Sequence, residues 1–309
     1  MKRFFVRLFL FLAAIVLLDQ LFGFAMASIL KNTDKGDWGR NNYIFNDVKN
    51  DVVILGSSRA IHHYDPRIIS DSLGMSCYNC GEDGMGILLM YPRFQAMLNR
   101  YTPRLVIYEF LPSFDLEKET DNLKYLKFLR PYTSNPAVDT ISHSISTTEP
   151  IKLLSGCYRY NSVFVDIFAQ RVSKSSLTAK DYSYAPENKY MAEETSILCQ
   201  DANEVGHNKK ITIDSLKFHY LEALITQCNK DGVQLVFTAS PMYGAPSDKD
   251  YKVLKDLCVK NDVPFINHYT DARLCNNSDF FADVAHLNQG GAEKFTSMIA
   301  SEIKGVLKK

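Results

Sequence analysis

Neither charge is in excess in this sequence, since 35 Lys and Arg residues balance 35 Asp and Glu. With no basic tract either, it has no electrostatic footprint for a phosphate backbone, and no nucleic-acid partner is expected. Cysteine is scarce, seven in 309 residues. An odd count cannot be fully paired, and the one C-x-x-C, Cys77 to Cys80, has no second pair and no nearby Cys/His cluster to complete four ligands. A disulfide framework and a zinc site are thereby set aside, and neither a metal nor a cofactor is expected. Long apolar runs are also few, the clearest standing at the N-terminus.

That run extends from Leu8 to Leu30, interrupted by Asp19 and Gln20 and preceded by Lys2, Arg3 and Arg7. Its length suffices to cross a bilayer, with the basic flank kept in the cytoplasm and the rest of the chain sent across. The polar pair and the Ala25-Met26-Ala27 cleavage signature favour a removed signal peptide; the return of apolar residues after Gln20 favours a retained anchor. The anchor is preferred. The expected organisation is an anchor or signal peptide over 1–30, a polar tether over 31–48 and a folded domain over 49–309. At 46% hydrophobic residues, the chain is rich enough for a substantial core.

Within the domain, strands are read at 51–55, 75–79, 104–110, 233–238 and 263–267, rich in β-branched and aromatic residues. Helical spacing separates them. Asp65-Pro66 supplies a cap and a favoured first residue for a helix ending before Gly74, and further helices are read at 87–99, 212–230 and 252–261. Strands alternating with helices imply a three-layer α/β/α fold, a parallel flavodoxin-like sheet of about five strands with ligands bound at their carboxyl ends. The alternation fails over 113–210, which is read as a mainly helical insertion after the third strand, placed beside the site. Its Tyr158, Tyr160, Tyr182, Tyr184 and Tyr190 are candidates for stacking on a sugar or for ordinary packing.

Two short stretches carry chemistry. Asp51 to Leu55 breaks into Gly56-Ser57-Ser58, placing a hydroxyl at the end of a buried strand, and Asp283-Val-Ala-His286 sets a carboxylate and an imidazole three apart. Serine is a weak nucleophile until an imidazole takes its proton, and a carboxylate on the other ring nitrogen fixes the tautomer. Their order, with an Asn79-x-x-x-x-Gly84 turn between them, resembles the SGNH/GDSL hydrolase superfamily in its membrane-anchored, cell-envelope branch. The likeness covers roughly 50–110 and 230–305. By position it implies Ser58 as nucleophile, His286 as general base, Asp283 as its orienter, and the N–H groups of Gly84 and Ser58 as an oxyanion hole, with Asn79 at the substrate. Where a typical member has Gly-x-Asn-Asp after the third strand, this chain reads Phe110-Leu-Pro-Ser-Phe-Asp115. One oxyanion donor is worth about a hundredfold to a thousandfold in rate, so either Ser113, Arg59 or a residue of the insertion replaces the missing Asn or the enzyme is weak or inactive.

The resemblance implies an extracytoplasmic serine ester hydrolase or O-acyltransferase acting on an acylated or acyl-accepting cell-envelope glycan. It would be held in the cytoplasmic membrane by a single span, with the catalytic domain outside the cytoplasm and periplasmic if the cell is Gram-negative. The alternative is a catalytically silent relative that binds glycan or an assembly partner. Three lesser candidates complete the reading. His62 and His63 are expected to be one exposed and one packed or pocket-lining rather than metal ligands, Glu109 is read as a strand-end residue paired with Arg104 or a helix terminus, and Asn276-Asn-Ser278 fits an N-glycosylation site.

Overall fold

The computed structural model describes residues 1–118, 122–175, 177–181, 183–188 and 211–307. In chain order, its first half runs α1 (Lys2–Lys31), α2 (Gly36–Asn46), β1 (Val52–Gly56), α3 (Ser58–His63), α4 (Pro66–Leu73), β2 (Cys77–Asn79), α5 (Ile87–Leu98), β3 (Leu105–Glu109) and α6 (Pro112–Asp115). There follow α7 (Leu126–Leu129), α8 (Pro136–Ile145), α9 (Glu149–Lys152), α10 (Gly156–Tyr160) and α11 (Phe164–Arg171), all within the insertion. The rest is α12 (Ser215–Asp231), β4 (Gln234–Ala239), α13 (Lys252–Asn261), β5 (Phe265–Asn267), α14 (Ala272–Cys275) and α15 (Gln289–Leu307).

The chain divides into two compact units, one of 1–47 with 121–182 and one of 48–120 with 183–309. The second holds a single five-stranded sheet in the order β2-β1-β3-β4-β5, every pairing parallel. This is the flavodoxin-like order, whose strand direction of winding reverses between β1 and β3 and opens a crevice at their carboxyl ends. β1 and β3 are buried at every position, as strands covered on both faces must be. Pleating sends Val52, Ile54, Leu105 and Ile107 to one face, where Phe295, Ile299 and Ile303 of α15 cover them. On the other face α5 meets α12, Tyr91 against Tyr220 with ring centroids 5.2 Å apart.

The local signals for α4 hold in detail. Asp65 accepts from the Arg67 N–H at 2.8 Å, Pro66 opens the helix, and Gly74 ends it. The strands fall within one or two residues of their expected ends. Between the first and third strands the one addition is α3, six residues long and capped by position at Ser57 with no side-chain bond, which left no signal in the sequence.

The first unit corrects the expected tether. Residues 36–46 form α2, with Trp38, Ile44 and Phe45 enclosed. Trp38 stacks on Phe128 and Phe45 on Tyr132, at 6.0 and 4.3 Å between centroids, so aromatic burial overrides the polar composition. α1 is long and apolar enough to cross a membrane. In the insertion, Tyr160 is buried and Tyr158 donates to Glu149 beneath the Arg130 guanidinium, both of them packing residues. In the second unit Tyr184 packs against the α15 side of the core, while Tyr182 and Tyr190 lie outside the described residues.

Candidate active site

β1 leaves the sheet at Gly56 with φ of 142°, and a Cβ there would stand 2.5 Å from the Glu109 carbonyl oxygen on β3. Only glycine lets the two strands stay paired while the chain turns sharply. Ser57 follows, fully enclosed, its hydroxyl without a partner among the described residues. Ser58 opens α3 and is half-buried.

Its Oγ lies 2.9 Å from Nε2 of His286, which comes from the loop before α15. That loop is closed by Asp283, whose Oδ1 accepts the N–H groups of Ala285 and His286, both at 2.8 Å, as short acidic residues do in turns. The same carboxylate reaches the ring, with Nδ1 of His286 at 2.9 Å from Oδ2 and 3.1 Å from Oδ1. A carboxylate only accepts, so Nδ1 carries the proton and Nε2 offers its lone pair to the Ser58 hydroxyl. Partial burial pushes the Asp283 pKa up, but the hydrogen bond from His286, that ring's charge and the two backbone N–H groups outweigh it, and the net shift is downward. The site is open, the side chains of Asp283 and His286 being 52% and 25% exposed.

A second, buried chain of hydrogen bonds holds this arrangement from beneath. The Leu287 N–H, next to His286, donates to Nε2 of His63 at 2.9 Å. Nδ1 of His63 therefore carries the proton and donates to Ser240 Oγ at 2.7 Å, and that hydroxyl donates to Glu109 Oε1 at 2.7 Å. Glu109 also accepts from the Ser240 N–H and the Tyr64 hydroxyl, and lies 3.7 Å from Arg59 Nε. Burial first, and then the Arg59 guanidinium and the imidazoles of His286 and His62 beside it, which disfavour a further positive charge, hold the His63 pKa well below the usual imidazole value, so it stays neutral. His62 behaves differently. Burial lowers its pKa, yet the Asp83 carboxylate 3.0 Å from Nε2 and the Ala185 carbonyl raise it overall, and its ring stands edge-on to His286 at 5.5 Å.

Several expected roles change. Arg59 is enclosed rather than facing substrate, its guanidinium donating to Ser240 Oγ and to the carbonyls of Ser240 and Pro241. Asn79 is also enclosed. Its amide donates to the Ala60 and Tyr64 carbonyls and its Oδ1 accepts the Gly81 N–H, so it ties α3 to the Gly-rich turn instead of meeting substrate. Glu109 pairs with Arg59 and not Arg104, because Arg104 precedes β3 and Glu109 ends it, about 16 Å away along an extended strand. Ser113 is exposed on α6, just past the carboxyl end of β3. Asp115 in the same helix is buried and accepts from the Ile87 and Leu111 N–H groups and the Tyr108 hydroxyl.

The turn carrying Gly84 is drawn to β1, the strand that leads into Ser58, by the Glu82 N–H on the Gly56 carbonyl, at 3.0 Å. Gly81 in that turn lies against α3, where a Cβ would come within 2.7 Å of the Ala60 side chain. Of the insertion, 183–188 belongs to the site's unit and borders the site directly, with the Ala185 N–H bonded to the Ile61 carbonyl and the Gln289 N–H to that of Glu187. His63 and Ser240 were not foreseen in these positions. The adjacent His pair and a hydroxyl residue just past β4 were the available signals. No group of acidic, His and Cys side chains suited to a metal ion occurs among the described residues.

The fold and this geometry define a three-layer α/β/α protein with a Ser–His–Asp arrangement at the carboxyl ends of its strands. No protein-family model matches the chain, and no curated protein matches it.

Proposed function

We propose that this protein is a serine ester hydrolase or O-acyltransferase that works outside the cytoplasm on acyl esters of a cell-envelope glycan. The observation carrying the reading is the 2.9 Å approach of His286 Nε2 to Ser58 Oγ, with the Asp283 carboxylate on the opposite ring nitrogen. In this mechanism Ser58 Oγ attacks the ester carbonyl as its proton passes to His286. The tetrahedral oxyanion collapses to an acyl-serine while the imidazolium protonates the departing alkoxide. Water, or a sugar hydroxyl, then gives its proton to His286 and attacks the acyl group; collapse of the second tetrahedral oxyanion releases the acid or the new ester as the imidazolium returns the proton to Ser58 Oγ. The N–H groups of Ser58 and Gly84 are the oxyanion donors assigned by this reading. The resemblance to the SGNH/GDSL superfamily supports the ester chemistry, and the apolar α1 behind Lys2, Arg3 and Arg7 supports an anchor with the remaining chain across the membrane.

A fluorophosphonate probe tests it, because its tetrahedral phosphonyl adduct draws on the same base and donors as acyl transfer. Full-length protein should be labelled on Ser58, Ser58→Ala should be unlabelled and inactive toward a small activated ester, and Ser57→Ala should retain both properties. Absence of labelling in folded wild-type protein that binds acylated glycan would leave the silent binding protein as the reading.

A further inference from the structure

The first unit contains an apolar surface that its own core does not cover. Along α11, Phe164, Phe168 and Val172 recur every four residues and so share one face, with Val165 beside them, and all four are exposed. Ile151 and Leu154, at and just after α9, are 75% and 72% exposed. Meanwhile Val163 and Ile167 of the same segment are buried, so this helix has two apolar sides, only one of them used within the unit.

The attachment of this surface to α1 fixes its level. Asp19 Oδ1 accepts from the Ser155 hydroxyl and the Cys157 N–H, and Oδ2 from the Gly156 N–H, at 2.7 to 2.9 Å. Gln20 donates to the Leu154 carbonyl at 2.8 Å, and Phe22 meets Phe164 edge to face. Gly23 and Gly156 touch backbone to backbone, where a Cβ on either would come within 2.8 Å of the other. The large apolar side chains of α1 from Phe4 to Phe24 are exposed apart from Phe22. Twenty residues of helix rise about 30 Å, the thickness of the hydrocarbon layer. Asp19 to Phe22 thus fall within the final 8 Å or so of that layer. The Leu154 carbonyl and the Phe164 ring, joined to Gln20 and Phe22, therefore lie in that last stretch of the layer, just below the headgroups.

We infer that Ile151, Leu154 and the Phe164–Phe168–Val172 face form a second membrane contact, an interfacial seat dipped into the leaflet from which α1 emerges. The inference rests on the reading that α1 crosses the bilayer. A lipid surface is the occupant favoured by continuity with that span and by the basic residues at the margin of the patch. Lys152 follows Ile151, and Arg171 and Lys174 flank Val172, all exposed and able to reach phosphate groups while the apolar face is submerged. The same geometry accounts for Asp19. Its carboxylate is turned from lipid into three donors, the condition under which an acidic side chain is tolerated at that depth.

The test uses full-length protein reconstituted in phosphatidylcholine–phosphatidylglycerol vesicles containing a phospholipid with a diazirine in its acyl chain, with lipid-modified peptides mapped after irradiation. Adducts are expected on α1 and also between Ile151 and Val172. Val165→Asp with Phe168→Asp, both at exposed positions, should lower the α11 adducts at least fivefold and leave those on α1 unchanged. Adducts on α1 alone would overturn the seat and leave the span standing, while adducts on neither would overturn the span and the seat together. Copy-to-copy links through Phe168 from a bifunctional reagent, with no lipid adduct there, would replace lipid by a second copy as the occupant and also overturn the proposal.

Discussion

Replacing Asp283 by Asn separates the two services that the carboxylate gives to His286. The Asn carbonyl oxygen can keep the Ala285 and His286 N–H groups that Asp283 Oδ1 now accepts, so the turn should survive. Its NH2, however, donates to Nδ1, which puts the ring proton on Nε2, facing Ser58 Oγ, where a base needs a lone pair. Restoring the working tautomer costs that hydrogen bond, about 1 kcal/mol. The imidazolium formed during attack also loses a counter-charge. Unit charges about 4 Å apart attract by about 1 kcal/mol in water and 4 kcal/mol near a protein surface, and the half-exposed Asp283 side chain places this pair between the two, near 2 kcal/mol. The sum, about 3 kcal/mol, predicts a fall of roughly a hundredfold to two-hundredfold in kcat/KM on a small activated ester, with KM little changed. Asp283→Ala loses the charge but leaves the ring free to choose its tautomer, so it should be no worse unless the turn loosens. A value for Asp283→Asn within threefold of wild type would refute the orienting role.

Glu109→Gln leaves the enclosed Arg59 guanidinium without its carboxylate, a change worth about 3–5 kcal/mol, and the melting temperature should fall by roughly 6–20 °C; a fall under 2 °C would show that the pair is not a buried one in solution. Burial pushes the Asp115 pKa up to about 6, against the lowering effect of its three hydrogen-bond donors. Its folded pKa exceeds the unfolded one, so the neutral form is favoured by folding and stability is lost as pH rises from about 4 through 6. The melting temperature of wild type relative to Asp115→Asn should therefore rise on going from pH 7 to pH 5, and a pH-independent difference would refute the shift. The protein isolated from membranes should retain α1; an N-terminus at Ser28 would establish cleavage instead.

What was legible in the sequence was what neighbouring residues decide. Gly56-Ser57-Ser58 announces its turn because a buried strand ends there, and Asp283 finds His286 because three residues fit within one turn. Asp65-Pro66 and Gly74 likewise mark both ends of α4 without help from the rest of the chain. Burial of charge was not legible. Arg59 and Glu109 are 50 positions apart, and each reads as a surface or site residue until the parallel pairing of β1 and β3 puts them in one enclosed pocket. His63 is a similar case. Its partner at Leu287 lies 224 positions away, and nothing near His63 distinguishes it from His62, which faces Asp83 and the Ala185 carbonyl instead. Asn79 sits at the position the resemblance assigned, yet its amide is spent on backbone carbonyls, which shows that a matching position does not carry a matching contact.

The Asp19-Gln20 pair illustrates the same limit. Within the apolar run it reads either as the polar end of a short signal peptide or as an unexplained interruption of an anchor, because hydropathy counts a carboxylate as a cost wherever it falls. Its partners lie 136 to 138 positions on, at Ser155, Gly156 and Cys157. α10 has only five residues, too few to be stable alone, and Asp19 satisfies N–H groups at its start that a helix cannot satisfy internally. Cleavage after Ala27 would remove that carboxylate together with Gly23, and would leave the first turn of α10 and the Gly156 surface without cover. Asp19 is thus a capping partner for α10 within the first unit as well as a break in the apolar run. That gives a physical reason for α1 to be retained.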